Sequence, residues 1–313
     1  MMSVSPLLEK ALNRYNSNVF VHNPIPEFEP RETLHLLHES YTTNDLPFFT
    51  IVMPIHNQEA IIRKNLDALL THTVGKPYEI ILILDSCSDS TEDVVMTWIR
   101  ETTFPELCVA RCIFKSTLPF FECSADNLGF YCARGEYVLE IQADIHIVQT
   151  GYNMRLLRPF DYFENLLGVS GRCCYALAKP ECAGRASENI EYPLPPEFPR
   201  NVFYVSDTCI RGPLLLHRPK LVEMGFLDEA NFFLDYSDHD LFIRARIEKG
   251  LCCGYTPVEY ESPLEHGSTR KPRDPLNQEH YERRRSRLGG GKLGMYFERG
   301  IPYTPMQIFE LDF

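Results

Sequence analysis

The chain has no apolar run near the roughly 20 residues that a membrane-spanning helix needs. Its longest stretch of that character, "EIILILD", is the size of a strand. The N-terminus, "MMSVSPLLEKALNRYN", lacks the basic start and apolar core of a secretory signal, so a cytoplasmic location is expected. Positive charge is scarce: 31 Lys and Arg stand against 43 Asp and Glu, a net charge of −12. That balance gives no drive toward nucleic acid, and a bound polyanion has to be met by local cations or a metal ion. The 11 cysteines fall in no zinc spacing. Cys173–Cys174 and Cys252–Cys253 are adjacent pairs, and reduced, partly buried thiols are expected. There is no internal repeat and no low-complexity segment. The lone Trp98 and most tyrosines are expected in the core or at interfaces.

What is present is ordinary globular composition, 44% apolar and 24% charged, in a chain long enough for one large domain or two modest ones. Residues 1–46 hold a short helical pattern (Leu7, Leu8, Ala11, Leu12), the Pro-rich connector "HNPIPEFEP" and a second predicted helix, "RETLHLLHES". From Pro47 strand and helix patterns alternate. "FFTIVMPI", "YEIILILD" and "CVARCIFK" are continuous apolar runs, as in strands buried on both faces, and "EYVLEIQAD" is the fourth. Between them "NQEAIIRKNLDALLTHT" carries a helical apolar stripe, "DSTEDVVMTWIRETT" opens on acids as a helix does, and "SADNLGFYCARG" ends a helix at Gly135. The alternation predicts a Rossmann-like three-layer α/β/α fold with a mostly parallel central sheet, its ligand at the C-terminal strand ends. In the second half "NLLGVSGRCCYAL" and "NVFYVSDTCIRGPLLLH" read as strands, with the loop "KPECAGRASENIEYPLPPEFPR" between them. "RPKLVEMGFLDEA" and "DYSDHDLFIRARIEKG" read as helices. After His266 the chain turns basic.

Polar groups gather where the strands end: "PIHNQE" (Pro54, His56, Glu59), Asp85–Ser86, Asp144 with His146, and later "DYSDHD". Each taken alone is common at strand ends. Side chains alternate along a strand, so Gln142, Asp144 and His146 are expected to face one way. "PIHNQEA" is neither Gly-rich nor basic, unlike the phosphate loop of a nucleotidyltransferase or a related hydrolase.

Four stretches in register resemble an inverting family 2 glycosyltransferase with the GT-A fold: "FTIVMPIHNQEAIIRKNLDALL", "YEIILILDSCSDSTEDVV", "NLGFYCARGEYVLEIQAD" and "GFLDEANFFLDYSDHDLFIRARIEKG". The resemblance covers roughly residues 47–270. It implies a catalytic domain over 47–269, divided into a nucleotide-sugar half (47–149) and an acceptor half (150–269). A basic lid or tail would follow over 270–313. It implies transfer of a sugar, with inversion, from a nucleotide-diphospho-sugar (a UDP-sugar favoured) to a hydroxyl on a glycan, a lipid-linked acceptor or a protein. A divalent ion, Mn2+ or Mg2+, would offset the leaving diphosphate.

Carried over residue by residue, Asp85 matches the nucleobase-binding acid. Leu84 stands where the family often has another Asp, and the alternative for Asp85 is a cap at the strand end. Asp144 matches the metal-binding acid of the D-x-D motif, and Gln142 replaces the first acid, placed to reach ribose or sugar. His146 is either a second metal ligand, as in a D-x-H pair, or a surface histidine beside the site. His266 matches a histidine set against metal or diphosphate. Asp238 matches the general base, with Asp235 as fallback and Asp240 in a structural or acceptor-orienting role; helix capping is the alternative for these acids. Lys115 and Arg134 are basic candidates near the donor, with a role in the fold as the alternative for Arg134, and Arg211 with Gly212 is a candidate to face the acceptor or the donor sugar. Arg270, Lys271 and Arg273 are candidates for a lid over the phosphates. The losses at Leu84, Gln142 and Ser237 leave open a degenerate fold that binds sugar or protein. The apolar tail "KLGMYFERGIPYTPMQIFELDF" points to docking on the body or on another subunit, and the alternative to a lid for the basic run before it is a solvated face or a patch on anionic lipid.

Overall fold

A computed structural model of the chain describes residues 5–14, 17, 19–20, 30–175, 185–187, 200–234, 236–263, 266–267, 273–287 and 307–312. α1 (Pro6–Leu12), the single turn α2 (Pro30–Thr33) and β1 (Leu34–Tyr41) come first. The alternating half follows: β2 (Phe49–Ile55), α3 (Ile62–His72), β3 (Tyr78–Asp85), α4 (Thr91–Glu101), β4 (Cys108–Ser116), α5 (Phe121–Cys132) and β5 (Tyr137–Glu140). The second half runs β6 (His146–Ile147), α6 (Tyr152–Leu157), β7 (Leu166–Ser170), β8 (Cys173–Tyr175), β9 (Arg185–Ser187), β10 (Val202–Ser206), β11 (Thr208–Cys209) and β12 (Leu214–His217). α7 (Arg218–Glu223), α8 (Ser237–Lys249), β13 (Cys252–Tyr255), β14 (Tyr260–Glu261), α9 (Pro275–Arg287) and β15 (Gln307–Glu310) complete it.

Ten strands form one sheet in the order β1-β4-β3-β2-β5-β12-β7-β13-β10-β15. β4, β3, β2 and β5 are mutually parallel. β12 runs antiparallel between β5 and β7, and β13 is parallel to β7. Apart from β1, β10 and β12, every strand of this sheet points the same way. The chain steps outward from β2 to β3 to β4, then returns to lay β5 on the other side of β2. That reversal opens a crevice at the C-terminal ends of β2 and β5, the place where such sheets bind ligands.

All eight residues of β3 are buried, which is why its sequence is a continuous apolar run. Ile81 and Ile83 face a core shared with α5 and α8, through Leu128, Phe130, Leu241 and Phe242. Ile80, Leu82 and Leu84 face the opposite core, with Leu66 and Leu69 of α3 and Val95 and Trp98 of α4. α5 approaches the sheet closely because residue 129 is glycine: a Cβ there would lie 2.3 Å from Val52 Cγ1.

Several elements differ from expectation. "RETLHLLHES" is not a helix beyond Thr33, because Leu34–Tyr41 pairs antiparallel with β4 and completes that edge of the sheet. Pairing to an existing edge overrides weak helical periodicity. The fourth strand stops at Glu140, and Ile145 N–H bonds to Gln142 O in a turn. β6 then belongs to a separate two-stranded ribbon with β14. α7 ends at Glu223, short of the predicted helix. β9 pairs with β8 inside the predicted loop, most of which lies outside the described residues. Of the tail, Gln307–Glu310 docks on the body as an edge strand against β10. The cysteines among the described residues are free. Among the described residues no helix is long and apolar enough to cross a membrane.

Candidate functional site

A cavity opens at the β2/β5 crevice. Its lining includes Pro54, His56, Asp85, Glu122, Gln142, Asp144, Arg172, Arg273 and Asn277. Pro54 is the next-to-last residue of β2, Asp85 closes β3, and Asp144 stands in the turn after β5.

Asp85 is held rigidly. Its two carboxylate oxygens accept from Phe120 N–H (2.7 Å) and Phe121 N–H (2.8 Å) at the start of α5. His56 Nδ1 donates to Asp85 O at 2.7 Å. The acid therefore pins the entry of α5 while lining the cavity.

Gln142 is a bridging amide. Its Nε2 donates to Glu122 Oε1 (2.5 Å) and its Oε1 accepts from Arg172 Nη1 (2.7 Å). Gly212, with φ +75, permits this: a Cβ there would come within 2.8 Å of Gln142 Oε1.

Behind the cavity wall lies a buried charge cluster centred on Arg211. Its Nη1 is 2.8 Å from Asp126 Oδ2 and its Nη2 3.4 Å from Glu122 Oε2. Asp238 Oδ2 accepts from Arg211 N–H at 3.3 Å and lies 3.9 Å from its Nε. Glu140 Oε2 accepts from Gly212 N–H at 2.8 Å. One guanidinium faces four carboxylates, three of them buried (Asp126, Glu140 and Asp238), and burial favours the protonated form of a carboxyl. Burial pushes Asp126 up to about 7 against the pull of Arg211. Burial together with the neighbouring Asp126 drives Glu140 well above the carboxylate range. The unpartnered, buried Asp126 Oδ1 and Glu140 Oε1 are the oxygens available to carry those protons. For Asp238 burial acts upward, but His239, Arg211 and two backbone N–H bonds bring it below its ordinary value. The Arg211 charge is reinforced despite burial by Glu122, Asp126, Asp238 and Glu140. Glu122, Asp126 and Glu140 each place an oxygen within 4.8 Å of one another, a spacing that suits a metal ion. Here the guanidinium supplies the positive charge.

The structure thus brings Pro54, His56, Asp85, Gln142 and Asp144 to one cavity. Asp238 is 7% exposed and sits one guanidinium behind Glu122. Other candidates lie elsewhere. Arg134 pairs with Glu79 at 2.7 Å, at the N-terminal end of β3, the opposite end from Asp85. Lys115 pairs with Glu92 of α4 at 2.6 Å. Glu59 accepts from Ser90 N–H at 2.8 Å in the loop before α4. His146 turns to Asn65 Oδ1 of α3 at 3.2 Å, because the turn after Glu140 breaks the strand alternation. Burial lowers the His146 imidazole. His266 meets the site through its backbone, its carbonyl accepting from Gln58 Nε2 at 2.9 Å, and the next residue, Gly267, lines the cavity. Asp240 pairs with Arg244 at 2.7 Å, and Arg244 holds Met224 O and Phe226 O. Asp235, Arg270 and Lys271 lie outside the described residues.

Sequence reading missed Glu122 and Arg172. Glu122 carries only the faint signal of an acid in a first helical turn. Arg172, between β7 and β8, carries none.

The wall containing Asp85, Gln142 and Asp144 is also what matches known proteins. Residues 50–147 match the family model "Glycosyl transferase family 2". The probable glycosyltransferase YdaM of Bacillus subtilis is 29% identical over 101 residues, 32% of this chain and 23% of that protein. The poly(ribitol-phosphate) beta-glucosyltransferase of Bacillus spizizenii is 28% identical over 133 residues, 39% of this chain and 20% of its own length. The matched stretches therefore span about a fifth of those relatives. Among solved structures, the mannosyltransferase PcManGT of Pyrobaculum calidifontis, in complex with GDP-Man and Mn2+, aligns with TM-score 0.53 at 15% identity, over 94% of this chain and 70% of its own. GalNAc-T7 with UDP, GalNAc and Mn2+ aligns with TM-score 0.55 at 13% identity, over 77% and 48%. The chain carries a glycosyltransferase family 2 segment, residues 50–147, on a GT-A fold.

Proposed function

We propose that this chain transfers a sugar from a nucleotide-diphospho-sugar to a hydroxyl acceptor, with inversion. The observation that carries the reading is the convergence of Asp85 and Asp144, far apart in sequence, on one cavity at the sheet's reversal point. Asp85, fixed by the start of α5, is the group offered to the nucleobase, with Pro54 and His56 beside it. Both aligned structures carry nucleotides or nucleotide-sugars with Mn2+, and a UDP-sugar is the favoured donor here.

The cavity's donor set fits a hard divalent ion of the kind held by one carboxylate, substrate phosphates and water. Asp144 is the residue that would hold Mn2+ or Mg2+, since the Gln142 amide is committed to Glu122 and Arg172 and His146 to Asn65. When bound, the ion supplies charge neutralisation of the leaving diphosphate. Asp238, kept ionised by His239 and Arg211, is the proposed general base that takes the acceptor proton. One displacement inverts the anomeric carbon and needs no second catalytic carboxylate, unlike most glycosidases. Residues 47–149 are the donor half, 150–269 the acceptor half and 270–313 the lid and tail. The proposed setting is the cytoplasm, with a glycan, lipid-linked or protein acceptor.

A degenerate, binding-only fold is the second reading. It is favoured by the full engagement of the Asp85 oxygens with backbone and by the burial of Asp238. Donor hydrolysis without acceptor separates the two. With Mn2+ and UDP-, GDP- and dTDP-sugars, slow turnover of one nucleotide class is expected. Tight binding with no turnover of any donor points to the second reading.

A further inference from the structure

Local rules call for a small residue at position 236, and the chain has a tyrosine there. Tyr236 is the N-cap of α8, with φ +65 in the left-handed region. Gly or Asn takes that conformation readily, a bulky side chain only at a cost. The usual capping side chains are those of Ser, Thr, Asp and Asn, and the Tyr236 side chain makes no capping hydrogen bond. Phe121 and Phe226 also have positive φ, but they are 4% and 1% exposed, so core packing offsets their strain. Tyr236 is 57% exposed. Strain retained under an exposed aromatic ring points to a use outside the fold.

The ring belongs to a row. Its centroid is 6.0 Å from that of His239, and the His239 ring is 5.2 Å from Tyr175 of β8. Thr208 Oγ1, 2.8 Å from His239 Nδ1, fixes the imidazole between the two tyrosines. The row borders the site already described. Leu234, two residues before Tyr236, lines the cavity, and its carbonyl accepts from Arg211 Nη2 at 3.0 Å. On the other side, His239 N–H donates to Asp238 Oδ1 at 2.9 Å. Tyr236 and His239 therefore flank the carboxylate assigned to the acceptor proton. A pyranose has a face made of C–H groups and a rim of hydroxyls. A tyrosine offers the matching pair, an apolar ring face and a polar tip.

We propose that Tyr236 is an acceptor platform whose exposed ring stacks on the C–H face of a pyranose, so that the acceptor is a carbohydrate ring rather than a protein side chain, a lipid head group or an acyclic polyol. This rests on the reading of Asp238 as the base of a transferase. Tyr236 selects the acceptor, and His239 holds the platform beside the base.

The test is saturation-transfer NMR on the full chain with UDP and Mn2+ present. The probes are methyl β-glucopyranoside, methyl β-galactopyranoside, methyl α-mannopyranoside and N-acetylglucosamine, each alone, with ribitol as the acyclic control. At least one pyranose is expected to bind, with saturation strongest on its ring C–H protons, and ribitol is not. Tyr236→Phe should keep the affinity, because the ring face is unchanged. Tyr236→Leu and Tyr236→Gly should each weaken it about tenfold. Gly adopts φ +65 without a Cβ clash, so Tyr236→Gly is expected to melt no lower than the wild type while losing the sugar. Pyranose binding that is indifferent to Tyr236→Gly, no binding of any of the four sugars, or equal binding of ribitol overturns the proposal. Donor hydrolysis run in parallel keeps its failure apart from that of the transferase reading. Turnover without Tyr236-dependent sugar binding removes the platform and leaves the transferase. Tyr236-dependent binding without turnover of any donor leaves the platform and removes the transferase.

Discussion

At the scale of single residues, the site is governed by which charges share one guanidinium. Asp238 and Asp126 both contact Arg211, yet the first is held below its ordinary value and the second is raised to about 7. The difference lies in their other partners. Asp238 has two backbone N–H donors and His239, whereas Asp126 Oδ1 has no partner. Asp238→Asn is expected to leave donor affinity intact while lowering transfer about 10²–10⁴-fold, the usual worth of a general base; kcat and donor Kd measured together check this, and a parallel loss of donor binding would point to another base. Asp126 gives a pH signature. Its proton is held more tightly folded than unfolded, from 3.8 up to about 7, so the folded chain carries more protons across that window. The stability it contributes is present at low pH and is lost as pH rises through the folded value. Glu140 acts in the same direction and Asp238 in the opposite one, with Arg211 and Glu122 as the other charges facing the cluster. The Tm of the wild type relative to Asp126→Asn is predicted to fall from about pH 4 to about pH 8; a flat difference would mean that Asp126 is ionised throughout.

At the scale of elements, the cavity depends on where α5 begins and how closely it lies on the sheet. Asp85 fixes the beginning through Phe120 and Phe121 N–H, and Gly129 fixes the approach to Val52. A methyl at 129 must displace β-branched Val52, a side chain with few alternative rotamers. Gly129→Ala is therefore expected to destabilise the fold by about 1–3 kcal/mol through overpacking, read as a shift of the urea midpoint at constant m. The same placement of α5 carries Glu122 to the cavity and Asp126 to Arg211. One helix thus serves both the cavity wall and the buried cluster. β1 shows the opposite case, a segment whose form is decided by its neighbour: Leu34–Tyr41 gains an antiparallel ladder on β4, interrupted by one register shift between Leu36 and His38, which an isolated short helix cannot match.

At the scale of the whole molecule, the reversal of strand order between β2 and β5 creates the crevice, and the second half of the chain closes it. Arg172 arrives beside β7 and Arg273 from the segment before α9. The family match ends at residue 147, so Arg172 and Arg273, which line the cavity, belong to the part of the chain it does not cover. Donor affinity is predicted to rise with Mn2+ in the wild type and to be insensitive to Mn2+ or EDTA in Asp144→Ala; an Asp144→Ala titration that still responds to Mn2+ would move the metal site elsewhere, with the Glu122, Asp126 and Glu140 cluster the first place to look.

Much of this was legible in the sequence by itself. Runs buried on both faces and helices between them are local patterns, and they placed β2 to β5 in a mostly parallel sheet; the GT-A fold came with the family resemblance, and Pro54, Asp85 and Asp144 do line one cavity. Side-chain alternation predicts direction only while a strand continues, so it failed at Glu140, where the turn sends His146 to Asn65. Tertiary structure alone decided that Arg134 sits at the far end of the sheet, that Asp238 lies behind Arg211, and that Glu122, Gln142 and Arg172 join in one chain of hydrogen bonds. Those pairings join residues 20 to 55 positions apart. They depend on how helices and strands stack, which no local periodicity encodes.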